Sequence, residues 1–180
     1  MKCYRVHTSA ARVDTIIVRN HRPSAALYGL LEEVGGSTGL IETLDVLDDS
    51  LRRLFPFDSM SVFLPQEERL TLAYSSGGER PADCRPRLPI GQAIAGQVSQ
   101  THRPAFNRDP RLKPALDGEF RSMIAVPLDD GSEVAGVLAF YSADVCTFQP
   151  ADLGVLLWIR EDLARAVKHA LPLPPAAEFG

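Results

Sequence analysis

Leu88–Asp109 reads LPIGQAIAGQVSQTHRPAFNRD, and the rest of the chain is arranged around it. Gly91 suits a tight turn in which a side chain would clash. Ile94 and Val98 stand four apart, so one face of the short helix that follows is buried. Gly96 lies opposite that pair, where a missing side chain lets the helix approach another element closely. The helix breaks at Thr101-His102-Arg103-Pro104, and extended chain resumes at Ala105-Phe106. A short helix feeding a short strand over a sheet builds the lid of a small-molecule pocket. The stretch points to binding rather than to chemistry.

On its C-terminal side, residues 110–119 read as irregular or briefly helical, a segment able to close over a pocket and a natural place for mobility. Arg121–Leu128 (RSMIAVPL) and Glu133–Tyr141 (EVAGVLAFY) are apolar on both faces and read as central strands. Asp129-Asp130-Gly131-Ser132 between them has hairpin-turn chemistry. Phe148-Gln149-Pro150 opens a long helix whose inner side carries Leu153, Leu156, Leu157, Ala164 and Val167. The tail LPLPPAAEFG, residues 171–180, cannot continue a helix and reads as a linker or a disordered end.

On the N-terminal side, Gly77–Pro89 reads as a loop. Phe57–Leu64 and Leu70–Ser75 form an antiparallel hairpin, with Met60, Val62 and Leu64 on one face of the first strand and Leu70, Leu72 and Tyr74 on one face of the second. Before them, Ile41, Leu44, Leu47, Leu51, Leu54 and Phe55 recur at helical spacing from a cap at Thr38. Glu42, Asp45, Asp48 and Asp49, followed by Arg52-Arg53, form a solvated face rather than paired catalytic carboxylates. A further helix from the cap Ser24 carries Leu27, Leu30, Leu31 and Val34 and ends at Gly35-Gly36. Residues 1–23 are basic, and Val13–Val18 within them could be an edge strand, a swapped arm or part of a basic leader. Antiparallel hairpins flanked by segregated helices make an α+β layered domain.

The 180 residues suit one domain, and 45% hydrophobic with 23% charged residues is ordinary for a globular protein. A net charge of −4 argues against nucleic acid as the main partner. No apolar run approaches a bilayer-spanning length, and the opening MKCYRVHTSAARVD lacks the apolar core of a secretory signal, so a cytoplasmic location and no membrane partner are expected. Cys3, Cys84 and Cys146 lack metal or disulfide-framework spacing, and the expectation is reduced structural thiols. His7, His21, His102 and His169 are scattered, so no metal site is expected.

The chain resembles the GAF domain, a small-molecule sensing module, over residues 24–170. The residues that carry the resemblance are Ile90-Gly91 through Ile94-Ala95-Gly96 and Val98, Arg103-Pro104, Asp109-Pro110-Arg111, Arg121–Leu128, Val134–Leu138, and Phe148 with Asp152-Leu153. The resemblance implies a GAF-like, PAS-related α+β fold: a six-stranded antiparallel sheet with helices on both faces, in α/β/α layers, dimerising helices on one side and the pocket on the other. Cyclic-nucleotide-binding members carry an Asn-Lys-Phe-Asp-Glu constellation. Asn107, Lys113 and Phe120 echo its first parts, but Met123, Ile124 and Ala125 stand where acids belong. Phytochrome-type members use a Cys-His pair that is missing here. Haem-binding members use a pocket histidine, whereas His102 falls in an exposed turn. The free methionine-R-sulfoxide reductases use pocket cysteines. Cys84 lies near one such place, but the others would fall near Ala95 and around Phe106–Asp109, where no cysteine stands.

The expectation is thus a non-catalytic sensory domain of a bacterial-type signalling protein, with a small molecule between sheet and lid and signalling through a homodimer of the helices 38–55 and 151–170. An effector domain (kinase, cyclase or transcription factor) would be its partner, and neither ligand nor cofactor is identified. Met60, Tyr74, Phe106, Asn107, Asp109, Phe120, Arg121, Met123 and Tyr141 are the candidate ligand-binding residues, with strand facing open to a one-residue slip. A buried Arg121 would favour an anionic ligand group, and the alternative is a surface arginine at a strand start. The competing reading is a ligandless dimerisation scaffold, with Phe106 and Phe120 as core aromatics. A reductase-like enzyme is the weaker alternative.

Overall fold

Alternate side chains of a strand point to opposite faces, and in this chain both faces of the sheet are apolar and covered. The computed structural model describes residue 29 and residues 39–76, 87–107, 120–131 and 133–171, of Arg87 and Asn107 the backbone only. In chain order the elements are α1 (Leu40–Arg52), β1 (Ser59–Gln66), β2 (Arg69–Ser75), β3 (Arg87–Pro89), α2 (Ala93–Thr101), β4 (Ala105–Asn107), β5 (Ser122–Asp129), β6 (Val134–Ser142) and α3 (Pro150–Ala170). The strands form one six-stranded sheet in the order β3-β2-β1-β6-β5-β4, every neighbouring pair antiparallel. The expected N-terminal arm, most of the expected first helix, the segment 108–119 and the tail beyond Leu171 lie outside the described residues. Gly29, within that expected helix, is helical.

Strands β5 and β6 lie within a residue of the expected 121–128 and 133–141, but the middle pair of the sheet is β1 and β6, and β5 is second from the edge. The turn between β5 and β6 owes its shape to Gly131 at φ 89°, whose N–H donates to Asp129 Oδ1 at 2.7 Å. One strand is new: β3 lies in the stretch read as a loop. It pairs Leu88 with Leu70 and Pro89 with Arg69, and at the sheet edge a proline can stand because no outer neighbour needs its N–H.

Two apolar cores sit on opposite faces. On one, α1 and α3 bring Leu44, Leu47, Leu51, Leu156, Leu163 and Val167 against Met60, Val62, Ile124, Val126, Leu138 and Phe140. Phe140 meets Phe55 and Phe57 edge-on, with ring centroids 5.1 and 4.9 Å apart. On the other, α2 lays Ile94, Ala95 and Val98 on Phe63, Leu72, Met123, Val137 and Ala139. The layers are therefore α1/α3, sheet, α2.

Helix α1 departs from expectation in three ways. It starts after Gly39, whose carbonyl accepts the Thr43 hydroxyl at 2.8 Å, rather than after Thr38. Ile41, expected in the apolar stripe, is 54% exposed. Asp48, expected on a solvated face, is buried. Its carboxylate accepts Arg52 Nε at 2.9 Å and the Ser76 hydroxyl at 2.8 Å, so the desolvated charge has partners. The Arg52 guanidinium in turn lies 4.4 Å from the Phe57 ring centroid. The cysteine expectation also changes: Cys146 is disulfide-bonded, with its partner outside the described residues.

Candidate small-molecule site

The turn before α2 sets the site's geometry. Gly91 has φ 84°, and a Cβ there would lie 2.9 Å from Gln100 Oε1. Gly96 lets α2 press onto that turn, since a Cβ at Gly96 would lie 2.7 Å from Pro89 O and 3.0 Å from Gly91 N. The helix ends at His102, whose φ of 55° forms a left-handed C-cap with its N–H on Val98 O. The His102 side chain is exposed, with Nδ1 3.7 Å from Asp129 Oδ2.

Beneath α2, strand register places small residues in a row across the sheet. Ser75 pairs with Ser61, Ser61 with Ala139, Ala139 with Ala125, and Ala125 with Ala105. Ser61 Oγ lies 3.4 Å from Ser75 Oγ. The neighbouring row holds Ser59, Tyr141 and Met123, ending at the backbone of Asn107. Phe120 stands over it, its ring centroid 5.1 Å from that of Tyr141. At this margin the Ser59 hydroxyl donates to Ser76 O at 2.5 Å. The site is a low floor with an aromatic wall.

Phe120, Met123 and Tyr141 are thus brought together on the α2 face. Met60, Tyr74 and Phe106 are not: all three pack on the α1/α3 face. Phe106 pairs with Ile124, which the helices cover, while its neighbour Ala105 takes the α2 face. Tyr74 bonds Asp45 of α1, and burial, then that bond, raise its pKa above the usual phenol range. Arg121 is exposed, with its backbone N–H on Ser142 O, which is the surface alternative and not a buried anion partner. The Asn107 side chain and all of Asp109 lie outside the described residues. Ser59, Ser61, Ala125 and Ala139, which share these two rows, are not among the candidates expected from the sequence. The alternation of serines with Met60 and Val62 in SMSV was the available signal of a small, polar face.

A separate cleft of about 700 Å³ opens on the other face, between the start of α1, the β1–β2 hairpin and the end of α3. None of the nine candidate residues lines it. At its mouth Lys168 Nζ meets Asp130 at 2.8 Å and Glu133 at 3.3 Å. Among the described residues, no three His, Cys, Asp or Glu side chains are placed to hold a metal ion, and no helix is long and apolar enough to cross a membrane.

The sequence pattern of GAF domains matches residues 37–168, nearly three quarters of the chain. The chain belongs to the GAF domain family. Its α+β fold is that of the family. The GAF domain of an Acinetobacter phosphoenolpyruvate-protein phosphotransferase is 21% identical with a TM-score of 0.71, over 81% of this chain and 92% of that one. That of a Coxiella burnetii phosphoenolpyruvate-protein phosphotransferase is 18% identical with a TM-score of 0.70, over 87% and 95%. The free methionine-R-sulfoxide reductase of Neisseria meningitidis, solved with its substrate, is 24% identical with a TM-score of 0.65, over 84% and 96%. At these identities the likeness is one of fold. None of the curated proteins is similar enough to match. In this GAF domain Ala95, near one place where the reductase resemblance would put a cysteine, is buried on the inner face of α2.

Proposed function

We propose that this GAF domain is a non-catalytic sensor that binds a small molecule on the α2 face of the sheet. The observation that carries the reading is the row from Ser75 to Ala105, walled by Met123, Tyr141 and Phe120. A face floored with serine and alanine leaves depth under a covering element, whereas branched side chains would fill it. Ser59, Ser61 and Ser75 add hydroxyls that can orient a polar group. Asn107 and Asp109 remain candidates on sequence alone. Membership of a sensory family supports the reading, and the absence of cysteine near Ala95 and around Phe106–Asp109 weighs against reductase chemistry.

The signal would leave through the opposite layer, α1 and α3, as a homodimer contact or a shift passed to an effector domain, within a cytoplasmic signalling protein. Such a signal needs a ligand that binds two states differently, because only differential affinity moves an equilibrium. The test is a thermal-shift screen against nucleotides, amino acids, organic acids and aromatic metabolites. A ligand at a hundredfold its Kd adds about 2.7 kcal/mol, which for this size raises the midpoint by roughly 5–10 °C. The shift should vanish in Met123→Ala or Tyr141→Phe. No shift with any compound, from protein free of carried-over ligand, would instead support the dimerisation scaffold, with Phe120 on Tyr141 as ordinary core packing.

A further inference from the structure

Just past the end of β2 the antiparallel ladder closes irregularly. In a hydrogen-bonded antiparallel pair the two residues exchange both N–H···O bonds. Ser76 keeps one half of the exchange, its N–H donating to Met60 O at 2.8 Å. The other half is displaced: Met60 N–H donates to the Ser76 hydroxyl oxygen at 3.0 Å instead of to the Ser76 carbonyl. The carbonyl freed in this way accepts the Ser59 hydroxyl at 2.5 Å, and Ser59 stands in the row of Tyr141 and Met123 on the α2 face. The Ser76 hydroxyl reaches the opposite layer. It donates to Asp48 Oδ1 at 2.8 Å and accepts from Arg52 Nη2 at 3.0 Å, both on α1. Asp48 is buried, and Arg52 also donates to Phe57 O at 3.1 Å, which fastens the end of α1 to the chain entering β1. One residue thus holds the α2 face through its carbonyl and the helical layer through its hydroxyl.

We propose that Ser76 couples the two faces and is the point at which occupancy of the α2 face reaches α1. As the route of a ligand's signal it rests on the sensor reading above; the coupling itself does not. Two arrangements satisfy Met60 N–H. In the one observed, Ser76 offers its hydroxyl oxygen, its carbonyl holds Ser59 and its hydroxyl proton goes to Asp48. In the other, the carbonyl turns back into the ladder and completes the pair with Met60. Ser59 then gives its proton to an acceptor over the α2 face, and the Ser76 hydroxyl leaves Asp48. A buried carboxylate that loses a donor is destabilised, so the second arrangement loosens the hold of the sheet on the end of α1. A ligand whose carbonyl or carboxylate oxygen accepts from Ser59 favours the second arrangement, and so does a partner that draws Asp48 and Arg52 off Ser76. Each therefore helps the other to bind.

The test is hydrogen exchange of the full chain, read by mass spectrometry without ligand. Ser59→Ala removes the donor to the Ser76 carbonyl, and exchange at residues 48–52, on the opposite face, should rise roughly two- to tenfold. Ser76→Ala removes the bond to Asp48 directly and should raise the same amides. Adding Ser59→Ala to Ser76→Ala should then raise them no further. Exchange in α3 and β5 should stay unchanged in all three, which separates coupling from a general loss of stability. Ser61→Ala, a hydroxyl lost from the same strand and face, should leave α1 as it was. Ser59→Ala without effect on α1, an effect that adds in full to that of Ser76→Ala, or an equal response to Ser61→Ala would each overturn the proposal. A failure of every compound to shift the midpoint would sink the sensor reading and leave this coupling standing. Loss of the coupling in a protein that does bind a compound would do the reverse.

Discussion

The two faces of this sheet are built from different residues, one packed with large side chains and the other floored with small ones. The α1/α3 face is filled with large side chains: Phe140 among Phe55 and Phe57, then Leu138, Ile124, Val126 and Met60. The α2 face is floored with Ser61, Ala139 and Ala125, and its bulk stands to either side, as Phe63 and Val137 or as Tyr141 and Met123. Strands β5 and β6 serve both faces with alternate residues, so a single stretch such as Ala139-Phe140-Tyr141 contributes floor, support and wall in turn. A face packed with aromatics resists change at high cost, whereas a floor of small residues, buried as Ser61, Ala125 and Ala139 are, lets a covering element come close.

The contrast is broken most severely from the packed side. Phe140→Ala should lower stability by about 3–5 kcal/mol in urea denaturation, because a fully buried ring leaves a cavity its neighbours cannot close. A loss under 1 kcal/mol would mean that the helical layer is not the support. Gly96→Ala breaks the other face from above. Helix propensity favours alanine by about 1 kcal/mol, but the new Cβ would lie 2.7 Å from the backbone oxygen of Pro89, which cannot swing aside. We expect a net loss of about 1–3 kcal/mol. A stabilised Gly96→Ala would show that α2 sits loosely on the turn at Gly91.

Much of this fold was legible. The apolar strands around Asp-Gly, the helix opened by Phe148-Gln149-Pro150 and the short helix after Gly91 carry local signals strong enough to survive tertiary context. Burial of Asp48 was not legible, because its partner Ser76 lies on another element. The site was legible only in part, for a specific reason. Period-two counting puts Leu70, Leu72 and Tyr74 on one face, but the register shifts between Val62 and Phe63: Val62 pairs with Tyr74, and Phe63 with Leu72. Ala73 is the extra residue, and past it β2 exchanges faces, sending Leu72 to α2 and Tyr74 to the helices. A bulge leaves no trace in an alternation pattern. Nor does alternation say which face a helix will cover, which is why Met60 and Met123, both buried, fell into one candidate site.

Tyr74 and Tyr141, expected in one pocket and found on opposite faces, give the finest test of the contrast. Tyr74→Phe removes the hydroxyl that bonds Asp45 on α1 and should cost about 0.5–1 kcal/mol at neutral pH. It should leave any ligand-induced thermal shift intact, whereas Tyr141→Phe should abolish it. The pH dependence has a definite sign. Burial and Asp45 raise the folded-state pKa of Tyr74 above the ordinary phenol value of about 10. The unfolded chain therefore releases this proton first as pH rises. The wild type's advantage over Tyr74→Phe is fully present below pH ~10 and declines above it, toward the higher folded-state pKa. A difference between the two proteins that stays flat through pH ~10, or a ligand response lost in Tyr74→Phe and kept in Tyr141→Phe, would put Tyr74 back with the binding face and dissolve the distinction between the layers.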